Sequence, residues 1–268
     1  MSRRLARLFI KETQFSKGLK LTLPPTESRR VTQVMRVIPG DERILSLFNA
    51  QAGEWKAKII SNTKSSGVHV ELTDQIRTQP PAPFSVTLMF TPLKKDATSL
   101  LLEKATELGV TQLCPMYTQR TQQGVIKDIF SSKKKSHANK AMSIVQQAAE
   151  QSDRLCLPRL HSPLNMADLV NKITNVHGPE SIWVCCEPSL KSQKKSSRLF
   201  DVLADIDLKL PDRRRLTLMI GPEGGFSPHE VEWLEHHPGV KFVSLGKNTL
   251  RAETAALSAL ALIHSRTS

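Results

Sequence analysis

Five of the chain's twelve glycines fall between Gly221 and Gly246, and glycine gathered this way marks backbone that another body approaches closely. The first group, Ile220-Gly221-Pro222-Glu223-Gly224-Gly225-Phe226-Ser227, leaves an apolar run and enters a helix. Ser227 is the predicted cap of that helix and Pro228 its first position, which leaves backbone amides to face a ligand. A Gly-Pro-x-Gly-Gly segment taken alone is more often just a turn. A second segment changes that weighting. Leu245-Gly246-Lys247-Asn248-Thr249-Leu250-Arg251-Ala252-Glu253-Thr254 again leaves a strand-like run, makes a short excursion and starts a helix, with Arg251 and Glu253 beside the helix N-terminus. Two such loops at one sheet edge build one pocket.

Other residue types capable of chemistry carry less. His161, His229, His236 and His237 show no ligand spacing with a third partner, and Cys114, Cys156, Cys185 and Cys186 form neither a Cys-x-x-Cys pair nor a cluster with histidine. No metal site and no disulfide framework are therefore expected, and reduced thiols in the cytoplasm are the plain reading. Glu103 and Glu107, with Lys104 between them, read as ordinary helix-surface pairing.

The elements that must position the two loops follow from periodicity. Residues 1–76 read as short strands around one helix. Strand candidates are 7–10, 19–23, 43–49, 54–61 and 68–72, and a helix capped by Thr26 or Ser28 would carry Val31, Val34 and Met35 on one side. This predicts a small β-barrel or meander. Three prolines among residues 80–83 place a linker at 77–83. From Phe84 to residue 268, strand-like runs (86–90, 112–116, 182–186, 216–220, 242–245) alternate with helix-like ones (97–108, 140–152, 253–264), the pattern of a parallel sheet flanked by helices. The last helix is apolar almost all round and requires cover, from its own sheet or from a second subunit.

Charge is unevenly spread. The chain of 268 residues has a formal net charge of +13. Residues 1–80 hold 14 Lys/Arg against 7 Asp/Glu, residues 81–215 hold 20 against 13, and residues 216–268 hold 4 against 5. A field of that sign recruits polyanions, nucleic acid first, and the near-neutral tail is reserved for something other than phosphate contact. The solvated-face reading competes for the runs 133–135 and 213–215. Aromatics make up 5% of residues, which argues against a sheet that stacks bases on exposed rings. No apolar run approaches the roughly 18 to 20 residues that span a bilayer, and Lys11 and Glu12 interrupt the start too early for an export signal. A soluble cytoplasmic protein without membrane partners is expected.

The two loops, in this order and near the C-terminus, resemble those of the RsmE-type methyltransferases, which methylate N3 of a uridine in 16S ribosomal RNA and belong to the SPOUT superfamily. Four further segments extend the resemblance over nearly the whole chain: 102–110, 115–120, 148–154 with Pro158, and an N-terminal stretch made of 7–9 and 31–36 with Pro39-Gly40. Arg30 stands where that family usually has histidine, and Lys247-Asn248-Thr249 is this chain's own version of a variable stretch. The resemblance implies an α/β fold whose C-terminal domain is trefoil-knotted, preceded by a PUA-like barrel that binds RNA. A knot departs from the general rule for chain connections, so it rests on the resemblance alone. It also implies S-adenosylmethionine as cofactor, the small ribosomal subunit or its 16S RNA as partner, and a homodimer through the knotted domain.

Given that family, the cofactor falls to Ile220, Gly221, Gly225, Leu245, Gly246, Leu250 and Thr254. Glycine loops offer amides and carbonyls to adenine and ribose while apolar side chains wall the slot. Uridine N3 bears a proton whose loss spreads charge onto the carbonyl oxygens. Arg251 is the candidate to stabilise that anion, and Glu253 to orient Arg251 or accept the proton. An acidic residue in a helix's first turn is as often only a dipole partner. RNA contact is assigned to Arg7, Arg30 and Arg36, then to Lys94, Lys95, Arg120, Gln151 and Arg154, contacts that fix position without choosing the base. A Rossmann-like methyltransferase is disfavoured, because it expects an early glycine turn that residues 84–108 lack. Two alternatives stay open: a ribose 2′-O methyltransferase of the same fold and a non-catalytic ribosome-assembly protein that binds RNA.

Overall fold

A computed structural model describes residues 6–11, 14–36, 44–63, 67–79, 84–121, 124, 129–130, 140–177, 182–185, 196–205 and 215–267. The linker prolines at 80–83, Pro39-Gly40, Cys186, the run 133–135 and Arg213 and Arg214 lie outside them. The chain divides into two compact units, residues 1–81 with 149–157, and residues 82–148 with 158–268. The first unit thus takes in residues 149–157, which the reading of the sequence had assigned to the second domain.

The first unit is a five-stranded sheet in the order β1 (Ala6–Phe9), β3 (Ile44–Asn49), β4 (Gly53–Thr63), β5 (Gly67–Arg77), β2 (Lys20–Thr22). β1 and β3 are parallel, and the other pairings are antiparallel. Alternating residues Leu45, Leu47, Val68, Val70 and Leu72 join Leu8, Leu23 and Val31 in the core, as the period of two requires. Between β3 and β4 the Asn49 carboxamide accepts the amides of Gln51 (3.0 Å) and Ala52 (2.7 Å), so the two strands are joined by an Asx turn.

The helix expected here takes a different start. α1 (Pro25–Arg29) begins after Pro24 and runs into a π-helical turn, Arg30–Val34. Neither Thr26 nor Ser28 caps it. The Ser28 hydroxyl instead donates to the Leu23 carbonyl (2.9 Å) and accepts the Val68 amide (3.3 Å), tying the helix to the sheet. The wider π turn also breaks the expected apolar face. Val31 is buried, whereas Val34 is 76% exposed.

The second unit is an eight-stranded sheet whose pairings are all parallel. Its order is β11 (Ser197–Arg198), β13 (Val240–Ser244), β10 (Ile182–Cys185), β12 (Arg215–Ile220), β6 (Ser85–Phe90), β7 (Gln112–Tyr117) and β8 (Arg159–Leu160), with β9 (Leu164–Asn165) also on β7. The helices are α2 (Lys95–Glu107), α3 (Lys140–Gln151), α4 (Met166–His177), α5 (Leu199–Asp205), α6 (Pro228–His236) and α7 (Ala252–Thr267). Of α3, residues 149–151 belong to the first unit. The five strands and three helices expected from periodicity are present with ends shifted by a few residues. α4, α5 and the two-residue strands were not read from the sequence. For α4 the signal was there, since Met166, Leu169 and Val170 are buried and Ile173 packs against the same core, an i, i+3, i+4, i+7 pattern.

The apolar α7 finds cover inside its own unit. Ala256, Ala259, Leu260 and Ile263 are buried, and the helix packs on α2, α5 and β12. Its composition therefore does not by itself require a second subunit. On α2, the Lys104 ammonium lies 2.8 Å from Glu103 and 2.9 Å from Glu107, the surface pairing expected. Among the described residues no helix is long and apolar enough to cross a membrane.

Candidate functional site

Because β10 pairs with both β12 and β13, with Cys185 opposite Ile220 on one side and Val243 on the other, the ends of three adjacent parallel strands lie side by side. Ligands of open α/β sheets bind at such carboxyl ends. The two glycine loops leave the outer two of these strands.

After β12 the chain turns at residues 221–227. The Gly225 amide donates to the Pro222 carbonyl (2.8 Å), and Gly225 holds φ +69°, backbone that side-chain-bearing residues rarely adopt. Gly221 is required for a different reason. A Cβ there would sit 2.8 Å from the Phe226 ring, and that ring is itself buried. The loop ends in the expected cap: Ser227 Oγ accepts the Glu230 amide (3.3 Å), and Glu230 returns a carboxylate oxygen to the Ser227 amide (2.8 Å), a complete capping box.

After β13, Gly246 holds φ +138°. The Ser244 hydroxyl donates to the Gly246 carbonyl (3.2 Å) and accepts the Gly246 amide (3.3 Å). Arg251, exposed, stands immediately before α7, where its carbonyl accepts the Ala255 amide (2.8 Å). Glu253 follows in the first turn.

Residues 220–226 and 245–253 (without Lys247) and Ala255 line one cavity of about 870 Å³ with Lys94, Asp96, Ala97, Arg120 and Cys185. That volume lies in the range of small-molecule and cofactor sites. Its charged lining is balanced, Lys94, Arg120 and Arg251 against Asp96, Glu223 and Glu253, a local neutrality unlike the chain's net +13. Arg120 Nη1 donates to the Gly224 carbonyl, bringing the loop after β7 against the first glycine loop.

The cavity thus brings together Ile220, Gly221, Gly225, Leu245, Gly246, Leu250, Arg251, Glu253, Lys94 and Arg120. Of the expected residues in this unit two stand apart: Thr254 is exposed on the first turn of α7, and Lys95 is exposed at the start of α2, neither in the lining. Phe226, Asp96, Glu223, Asn248 and Thr249 line it without having been singled out. Glu230 was also missed, although Ser227-x-x-Glu230 before an apolar run is a legible capping signature. Among the described residues, which exclude Cys186, no cluster suited to a metal ion occurs, and burial pushes the Cys114 thiol up to about 12.

Arg36, Gln151 and Arg154 belong to the first unit, where Arg36 and Gln151 are exposed. Arg30 pairs there with the buried Glu150 carboxylate at 2.7 Å. Arg7 is corrected outright. Its guanidinium is buried and donates to Glu54 (2.8 Å) and to the carbonyls of Ala149 (3.1 Å), Glu150 (3.0 Å) and Arg154 (2.8 Å), with Phe48 stacked 4.3 Å away. A cation enclosed this way binds residues 149–154 to the sheet and is not presented to RNA.

Residues 80–264 match the family described as RNA methyltransferase domain. The chain belongs to that family. This RNA methyltransferase is 31% identical to the ribosomal RNA small subunit methyltransferase E of Rickettsia conorii over 82% of this chain and 79% of that protein. It is 28% identical to the Bacillus subtilis protein of the same name over 98% and 97%. Among solved structures it is similar to a Legionella pneumophila protein described as a methyltransferase, in complex with the bound cofactor SAM, at TM-score 0.78 and 27% identity over 98% of each chain. The ribosomal RNA small subunit methyltransferase E of Neisseria gonorrhoeae, bound to S-adenosyl methionine, shares the fold at TM-score 0.76 and 24% identity, again over 98% of each chain.

Proposed function

We propose that this RNA methyltransferase uses S-adenosylmethionine to methylate N3 of a uridine in 16S ribosomal RNA of the small subunit, in the cytoplasm. The observation that carries the reading is the single cavity made by the loops after β12 and β13. The small-subunit naming of its relatives and the S-adenosylmethionine bound by two proteins of similar fold support it.

The residues present fit that cofactor. Gly225 and Gly246 face open space that a Cβ would enter, the volume suits a nucleoside with an amino-acid tail, and the lining charges balance. Ile220, Gly221, Gly225, Leu245, Gly246 and Leu250 would hold it through backbone groups and apolar walls. When bound, it supplies an electrophilic methyl group on a sulfonium. The chain's own work is then to align the nucleophile, which can supply several kcal/mol of the barrier, and to handle one proton. Arg251 stabilises the negative charge that spreads onto the uracil carbonyls as N3 loses its proton, and Glu253 orients Arg251 or takes that proton. Lys94, Lys95, Arg120, Arg36, Gln151 and Arg154 supply RNA contacts, and so does Arg30, whose side chain is partly exposed beside Glu150. The five-stranded first unit is taken as a PUA-like barrel, the second as a trefoil-knotted SPOUT domain, and the working form as a homodimer.

The test is methylation of small-subunit RNA with isotopically labelled cofactor, followed by mass spectrometry of the nucleosides. Labelled N3-methyluridine is expected. Label in a 2′-O-methylated nucleoside, or S-adenosylmethionine that fails to bind in calorimetry, would refute the reading.

A further inference from the structure

A capping box needs only one oxygen of its carboxylate, and Glu230 uses both. Oε2 accepts the Ser227 amide (2.8 Å), closing the box, while Oε1 accepts the amide of Gln119 (2.7 Å), 111 residues away in sequence. Gln119 lies in a tight loop after β7 that is already closed on itself. The Thr118 amide donates to Thr121 Oγ1 (2.7 Å), the two hydroxyls lie 2.9 Å apart, and the Thr121 amide donates to the Thr118 carbonyl (3.1 Å). That closed loop carries Arg120, whose guanidinium reaches the Gly224 carbonyl on the cavity wall.

We propose that Glu230 is a positioning residue: by accepting the Ser227 and Gln119 amides together, it clamps the 118–121 loop to the 221–227 loop and sets Arg120 at the cavity rim. The role rests on the reading of Arg120 as an RNA contact. A preset guanidinium loses less side-chain freedom when it meets a phosphate, so the benefit falls on RNA engagement rather than on cofactor affinity. Only a carboxylate can do this. Glutamine at 230 would present an NH2 group to one of the two amides, donor against donor, and release either the cap or the loop.

Amide hydrogen exchange on the full chain without RNA tests the clamp directly. Glu230→Gln should speed exchange at Gln119 or Ser227 by at least about tenfold, the equivalent of one lost charge-assisted hydrogen bond, whereas Ser227→Ala should speed exchange at Glu230 and leave Gln119 protected. Unchanged exchange at both amides in Glu230→Gln, or loss of Gln119 protection in Ser227→Ala, would overturn the clamp whatever the chain's reaction proves to be. A double-mutant cycle then tests its consequence. Glu230→Gln and Arg120→Ala should each lower kcat/KM for RNA about tenfold with cofactor Kd within about threefold, and the double variant should fall no more than about twofold below Arg120→Ala. Additive losses, or a loss confined to cofactor binding, would show that Glu230 does not act through Arg120. Absence of methylation by the unmodified chain would instead count against the proposed function and leave the exchange result to judge the clamp.

Discussion

At the scale of single residues, chemistry and architecture separate by what encloses each side chain. Arg251 is exposed at the start of α7 and lines the cavity. As an anion stabiliser it should affect turnover more than cofactor affinity, so Arg251→Ala is expected to lower kcat by about a hundredfold, the usual worth of one such donor, while calorimetric affinity for S-adenosylmethionine changes little. Equal loss of both would reassign it to the cofactor. Gly221 is the opposite case. A methyl there meets the buried Phe226 ring at 2.8 Å, and overpacking of that kind costs about 1–3 kcal/mol. Gly221→Ala should weaken cofactor binding measurably, and a tenfold or smaller loss relieved by Phe226→Leu would identify the ring as the cause. Arg7, read from the sequence as an RNA contact, is an internal brace. Arg7→Ala leaves Glu54 to Arg77 and Ser46 and three carbonyls without their donor. A loss of about 3 kcal/mol in denaturant unfolding is expected, larger than any effect on RNA affinity of the folded protein.

Among elements, the sheet of the first unit carries a polar knot of its own. Burial alone would raise the Glu54 carboxyl, but hydrogen bonds from Ser46, Arg7 and Arg77 outweigh it and hold the group below its ordinary value of 4.5. A carboxyl depressed on folding contributes stability that is complete above its unfolded value and lost as pH falls through its folded one. Acid unfolding of this unit, followed by circular dichroism, should therefore steepen below about pH 4.5, and Glu54→Gln should flatten that dependence while lowering stability at neutral pH. An acid profile identical in the variant would show that other carboxylates govern it. The same knot holds the 149–157 segment, since Arg77 reaches the Asp153 carbonyl at 2.7 Å and Glu150 Oε1 accepts the Phe9 amide at 3.1 Å.

For the molecule as a whole, charge is partitioned by task. The cavity lining is balanced while the chain carries +13, so the two ligands should respond differently to salt. RNA affinity is expected to fall steeply and linearly in log–log form between about 50 and 200 mM salt through counterion release, and cofactor affinity to change by less than about twofold over that range. Parallel salt dependences would mean that the cavity field is not neutral in effect. The proposed homodimer no longer follows from α7 needing cover, because α2, α5 and β12 supply it. Sedimentation at micromolar concentration tests it, a fully active monomer being the result against it.

Local pattern determined a good deal of this protein. The period of two in residues 44–49 and 67–72, the helical spacing of 97–108, the Ser227 cap and both glycine loops were legible because each is set by neighbours a few residues apart. Tertiary structure alone decided that β10 lies between β12 and β13, that Arg7 is buried, that residues 149–157 join the first unit and that Glu230 reaches Gln119. Each depends on partners roughly 35 to more than 140 positions away in sequence, and periodicity carries no information about which distant backbone will stand opposite a given side chain.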